Sequence, residues 1–320
     1  KKVIFQTEVV SNIWHEEKKE WIVETDKQDQ ILAKFVVHSN GPLNRPKLPG
    51  IEGINDFKGH TFHTSRWDYE YTGGSSAGEL SNLGDKRVAV IGTGATAIQC
   101  IPHLGSAAKE LYVFQRTPSA VDIRNNSPTD IDWLQNQEAG WQAKRRRNYE
   151  SIISGMPVEE DLVDDGWTEA FKDLFAFMQD HDLLKSGAEG IAKAMEIADL
   201  KKMEKIRNLA SDILNDQETA ENLKPYYRWL CKRPCFNDDY LKTYNLPNAH
   251  LIDTNGKGVT RITPKCVVAN DIEFEVDCII FATGFEVGTD YSRRAGYGIY
   301  GRGGINIEEK FSMTKGYESL

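Results

Sequence analysis

The six residues Gly92, Thr93, Gly94, Ala95, Thr96 and Ala97 follow the apolar run Val88–Ile91 and precede a helix-like stretch reaching about Leu104. They fit the spacing G-x-G-x-x-A. There the first glycine permits a tight turn, the second lets the backbone approach a pyrophosphate, and the alanine lets a helix pack closely on a strand. Free N–H groups at the helix start attract phosphate. A second apolar run, Leu111–Phe114, ends at the distance expected of a β-α-β unit with parallel pairing. The chemistry at this point is dinucleotide binding.

The residues after the second run select the dinucleotide. NAD-binding folds place a carboxylate there for the ribose 2′-hydroxyl. This chain places Gln115, Arg116 and Thr117. A guanidinium stays charged and grips phosphate with two parallel bonds, which favours NADP(H) over NAD(H). Lys232 and Arg233 form a second pair of cations, in the apolar setting LCKRPCF. Buried, they need partners; at the surface, they need only lay their stems on apolar neighbours. The small-residue turn Ala282-Thr283-Gly284 ends the run Asp277–Ala282, and Ser39-Asn40-Gly41 ends Phe35–His38. Such turns let a backbone pass close to a ligand or a neighbouring domain. Residues 57–68, FKGHTFHTSRWD, are too broken for a long helix and too polar for a core strand.

The elements that must position these groups are legible in outline. Residues 1–40 alternate β-rich runs and polar turns, an antiparallel meander leading into a buried strand at Phe35–His38. Pro42, Pro46 and Pro49, between Gly41 and Gly50, mark a connector. Residues 130–224 carry apolar side chains at helical spacing, including FKDLFAFMQDHDLL, and read as a helical insertion. Short strands return at Ala249–Asp253, Val259–Thr263, Cys266–Val268 and Glu273–Val276.

Composition narrows the function. A net charge of −9 disfavours nucleic acid, and the basic run Lys144–Arg147 reads as a solvated helix face. No apolar run approaches the ~20 residues of a membrane span. Five cysteines, an odd number without CxxC spacing, argue against a zinc site and a disulfide framework, so no metal is expected and a cytoplasmic setting is. Oligomeric state is not encoded in any of these features.

Phe57, Gly59, His63, Trp67 and Asp68 fill every fixed position of F-x-G-x-x-x-H-x-x-x-W-(P/D). With FQRTP, CKRP, DTNGKGV and FATGFEVGTDY, the chain resembles the type I Baeyer–Villiger monooxygenases along essentially its whole length. The resemblance implies a Rossmann-like three-layer α/β NADP-binding domain over 86–280, with the helical insertion at about 130–224. It implies partial FAD-binding segments at 1–41 and 281–320, and an interdomain linker bearing the signature at 42–85. It implies FAD and NADP(H) as cofactors. NADPH and O₂ then drive insertion of one oxygen beside a ketone carbonyl, through a C4a-peroxyflavin, to give an ester or lactone.

By the same resemblance Arg233 is the active-site arginine, Arg116, Lys232 and Thr117 bind the 2′-phosphate, and His63 sets domain orientation rather than moving protons. An N- or S-oxygenating flavin monooxygenase is the rival, against which Trp67 and Arg233 argue. Whole family members open with a G-x-G-x-x-G fingerprint for FAD, which this sequence lacks. The expectation is an internal piece of a longer enzyme that alone neither holds FAD tightly nor turns over, for which a non-catalytic NADP-binding module is the other reading.

Overall fold

The computed structural model describes residues 3–180 and 187–313, and the side chains of all of these except 174, 177–180, 312 and 313. Two compact units divide the chain, one made of residues 1–49 and 283–320, the other of Gly50–Ala282.

The first unit opens with β1 (Val9–His15), β2 (Glu20–Thr25) and β3 (Gln30–Ala33). They form the expected antiparallel meander, with Trp14 opposite Trp21 and Ile22 opposite Leu32. The expected buried strand at Phe35–His38 does not form. β3 ends at Ala33, the run has no strand partner among the described residues, and Phe35 and Val37 stay 87% and 86% exposed.

The second unit holds β4 (His60–His63), α1 (Tyr69–Thr72), β5 (Arg87–Ile91), α2 (Ala95–Ala107), β6 (Glu110–Gln115) and β7 (Val121–Asp122). The insertion follows as α3 (Ile131–Gln135), α4 (Trp141–Ile153), α5 (Gly166–Asp180), α6 (Gly187–Ile213) and α7 (Gln217–Asn222). His181–Leu184, the end of one expected helix, lie outside the described residues. Then come β8 (Cys235–Phe236), α8 (Tyr240–Thr243), β9 (Ala249–Asp253), β10 (Arg261–Ile262), β11 (Cys266–Ala269), β12 (Ile272–Glu275) and β13 (Cys278–Phe281). The first unit resumes with α9 (Tyr291–Ala295), β14 (Gly298–Tyr300), which pairs parallel with β1, and α10 (Ile307–Met313). Residues 314–320 of the expected returning segment lie outside the description.

A five-stranded parallel sheet in the order β4-β13-β5-β6-β9 centres the second unit. The runs Val88–Ile91, Leu111–Phe114 and Cys278–Phe281 at the heart of its middle strands are apolar because both faces are covered. On one face Ile98, Ile101 and Leu104 of α2 pack on Val88, Val90, Leu111 and Val113, all 0–1% exposed. Each such side chain contributes about 2 kcal/mol on burial. On the other face Ile262, Val267 and Ala269 of the antiparallel β10-β11-β12 sheet cover Ala89, Phe114 and Ile279. The layers are therefore helix, parallel sheet and small antiparallel sheet.

The expected linker over 42–85 is not a free connector beyond Pro49. From Gly50 it belongs to the second unit, and His60–His63 is an edge strand of the central sheet, paired with Cys278–Phe281. Phe62 and His63 are buried, and the polar His60 and Thr61 are tolerated because the strand is at the edge.

Candidate functional site: a dinucleotide turn and its cation cluster

β5 ends in the glycine turn at the carboxyl edge of the sheet. Gly92 has φ +110°, and a Cβ there would lie 2.6 Å from the Ala282 carbonyl oxygen, so only glycine fits. Gly94 caps α2 without a side-chain bond, and a Cβ built on it meets nothing within 4 Å. The opening in front of Gly94 is the approach a pyrophosphate needs. Ile98 N–H donates to the Gly94 carbonyl at 3.0 Å, which leaves the N–H groups of Ala95, Thr96 and Ala97 ahead of the first intrahelical bond. Thr96 is exposed at this end, and Ala97 is fully buried against the sheet.

The loop after β6 is tied to this turn. Thr93 Oγ1 donates to the Thr117 carbonyl at 3.0 Å, and Ser119 Oγ donates to the Thr93 carbonyl at 2.6 Å. Gln115 is fully buried, donating to the Asn222 carbonyl at 2.6 Å and to Asp253 Oδ1 at 3.1 Å. Arg116 and Thr117 are exposed beyond it.

Lys232 completes the cluster from far along the chain. Its Nζ donates to Thr117 Oγ1 at 2.5 Å and to the Pro118 carbonyl at 3.3 Å, and lies 4.5 Å from the centre of the Tyr227 ring. Partial burial, and then repulsion from Arg116, lower the pKa of this ammonium. Among the described residues no carboxylate pairs with Arg116, Lys232 or Arg233. Two cations held together without a counter-charge favour a polyanion between them. Sequence reasoning found these residues but missed Ser119 and Tyr227, whose parts come from contacts that no spacing encodes.

The other expected site residues are placed differently. Arg233 is exposed, with no hydrogen bond or ion pair engaging its guanidinium among the described residues. Ala282 backs Gly92, whereas Thr283 and Gly284 belong to the first unit, where Thr283 Oγ1 donates to the Lys47 carbonyl at 2.5 Å.

The signature residues build the β4 edge. A Cβ on Gly59 would stand 2.5 Å from the Phe57 ring and 2.6 Å from the Asp277 carbonyl. His63 is 7% exposed and accepts the Ser65 N–H at Nδ1 (3.2 Å). Trp67 Nε1 donates to Thr72 Oγ1 at 3.0 Å, and its ring meets Phe62 edge-on at 5.3 Å. Asp68 accepts the Tyr71 N–H at 3.0 Å and pairs with His60 at 2.9 Å, and both lower its carboxyl pKa, the backbone bond more strongly. A Gly-x-Ser-x-Gly spacing at Gly74–Gly78 lies on an exposed turn bridged from Ser75 to Gly78, not on the strand-to-helix elbow of a hydrolase. Among the described residues no group of three His, Cys, Asp or Glu could hold a metal, and no helix is long and apolar enough to cross a membrane.

A parallel sheet with a glycine turn at its carboxyl edge and phosphate-seeking cations gathered at the next loop defines a dinucleotide-binding α/β protein. No protein-family model matches the chain. It is 50% identical over 313 residues to the Baeyer-Villiger monooxygenase ATR8 of Stachybotrys chlorohalonatus, covering 98% of this chain and 50% of that one. It is 42% identical over 311 residues to the FAD-binding monooxygenase hmp7 of Hypomyces subiculosus, covering 97% and 51%. Among solved structures, the polycyclic ketone monooxygenase of Thermothelomyces thermophila superposes with TM-score 0.84 at 38% identity, over 98% of this chain and 53% of that one. The cyclohexanone monooxygenase of Rhodococcus sp. Phi1 bound to NADP⁺ superposes with TM-score 0.71 at 28% identity, over 96% and 56%. Along nearly its whole length the chain is similar to Baeyer–Villiger monooxygenases. It spans about half the length of the curated relatives it matches.

Proposed function

We propose that the whole protein is an NADPH- and O₂-dependent flavoprotein monooxygenase that inserts one oxygen atom beside a ketone carbonyl, giving an ester or lactone, and that this chain supplies its NADP(H) site. The observation that carries the reading is the meeting of Arg116, Thr117 and Lys232 beside an open glycine turn. The amino end of α2 takes the pyrophosphate, with Gly92, Thr93, Gly94, Ala95, Thr96 and Ala97 shaping the approach. Arg116 grips the 2′-phosphate bidentately, Lys232 adds a point charge and Thr117 a hydroxyl. Arg233, carrying no ion pair of its own, is the cation that steadies negative charge developing near the reacting carbonyl. Phe57, Gly59, His63, Trp67 and Asp68 fix the edge strand of the same sheet; His63 acts by position.

FAD, the second cofactor, supplies hydride acceptance and oxygen activation when bound. The described residues contain one strand–glycine turn–helix unit, and its cations suit NADP(H), so they offer FAD no second pyrophosphate cradle. Five free thiols accord with a cytoplasmic setting.

Two measurements test the reading. Equilibrium binding to this chain should favour NADP⁺ over NAD⁺ by about tenfold or more; equal affinity sinks the 2′-phosphate assignment. The full-length enzyme given NADPH, FAD and a cyclic ketone should form a lactone. A sulfoxide from a thioether, with no lactone from any ketone, would establish the N/S-oxygenating rival instead.

A further inference from the structure

Tyr227 touches both sides of the cation cluster. Its hydroxyl accepts the Ala120 N–H at 2.8 Å, at the end of the loop that carries Thr117. The face of its ring lies 4.5 Å from Lys232 Nζ. Tyr227 is itself half-buried beside Ala120, Met203, Ile206 and Trp229, so the helical insertion, through α6, gives it a rigid seat.

A lysine side chain carries about 2 kcal/mol of rotamer entropy, and an ammonium that must be captured on binding spends affinity on being ordered. Here the ordering is done beforehand. Two ammonium hydrogens go to Thr117 Oγ1 and the Pro118 carbonyl, an aromatic face supports the charge, and one donor of the three remains for an incoming anion. Arg116 stands near enough to lower the ammonium's pKa, so without support the two cations would move apart.

We propose that Tyr227 is a positioning residue for discrimination of the dinucleotide 2′-phosphate: its ring face holds Lys232 at the spacing the phosphate requires, while its hydroxyl, through the Ala120 N–H, adds stability to the fold. The proposal rests on the NADP(H) reading above. It explains how a helical insertion remote from the glycine turn contributes to cofactor choice.

The test is equilibrium binding of NADP⁺ and NAD⁺ to this chain and its variants, with thermal melts as the folding control. Tyr227→Leu removes the ring face and should weaken NADP⁺ about fivefold to tenfold while NAD⁺ changes by less than about twofold. Tyr227→Phe keeps the ring, and should keep the NADP⁺/NAD⁺ ratio within about twofold of the parent while lowering the melting temperature through loss of the Ala120 bond. An unchanged ratio in Tyr227→Leu, equal weakening of both dinucleotides, or a Tyr227→Phe ratio as low as that of Tyr227→Leu would each overturn the proposal. If Tyr227→Leu loses its cooperative melt, Tyr227→Met carries the same comparison. Equal binding of the two dinucleotides by the parent chain is a separate result, and removes the NADP(H) reading itself.

Discussion

Replacing Lys232 by methionine should separate binding from stability. Methionine keeps the length and apolar stem of the side chain and removes the charge. In the folded chain this ammonium is partly desolvated and faces Arg116, and both effects lower its pKa. A lysine whose folded pKa lies below its unfolded value destabilises the fold while charged. The penalty is fully present at neutral pH and is relieved only as pH rises through the folded value toward the unfolded one near 10.5. Against it stand the bonds to Thr117 Oγ1 and the Pro118 carbonyl and the contact with the Tyr227 ring.

The opposing effects nearly cancel, so Lys232→Met should leave the melting temperature at pH 7 within about 3 °C of the parent, the shift that ~1 kcal/mol produces in a chain of this size. Binding has no such cancellation. A charge-assisted bond to phosphate is worth about 2 kcal/mol, so NADP⁺ affinity should fall about 30-fold while NAD⁺ affinity stays put. Calorimetric titration with each dinucleotide, beside melts from pH 7 to pH 10, measures both. Equal losses for NADP⁺ and NAD⁺, or a drop in melting temperature of 10 °C or so, would refute the reasoning, because Lys232 would then be a structural group.

Three further outcomes follow from the geometry around the sheet. Gly92→Ala forces a side chain onto φ +110° and against the Ala282 carbonyl, and should cost about 2 kcal/mol or more, read as a lower denaturant midpoint. Lys202 and Asp122 form an ion pair at 2.5 Å, 9% and 4% exposed, at the root of β7. Lys202→Met strands the carboxylate and should cost about 3–5 kcal/mol, most of it recovered in Lys202→Met/Asp122→Asn; a double variant no more stable than the single would refute this. Asp277 is held below the usual carboxylate range by its bonds to Arg87. Its contribution is therefore full above the unfolded value and is lost as pH falls through the folded one. The melting temperature should drop as the parent is taken from pH 6 to pH 3, and drop less in Arg87→Met. Parallel curves would show that this pair does not drive the acid sensitivity.

The glycine turn and the sheet around it were legible because local chemistry alone specifies them. An apolar run at Val88–Ile91, a glycine that must take φ +110° and an alanine that must pack at 0% exposure leave few alternatives. The cation cluster proposed for the 2′-phosphate was half legible. Arg116 follows its strand directly, but Lys232 reaches Thr117 across 115 residues of chain, and only family resemblance joined the two.

One reading failed, and one stretch was left without an element, for the same reason. Val36 and Val37 suggested a buried strand and residues 57–68 read as too polar for a core strand, yet Phe35–His38 forms no strand and His60–His63 forms one at the sheet edge. Apolar character reports what a strand would bury, whereas strand formation depends on a neighbour to pair with. β13 offers its edge to His60–His63, and no described strand offers one to residues 35–38. The signature's glycine, histidine and tryptophan are explained by the same edge. They let a polar segment dock on one margin of the parallel sheet, two strands from β5 and its glycine turn, so that the turn and the signature share one rigid frame.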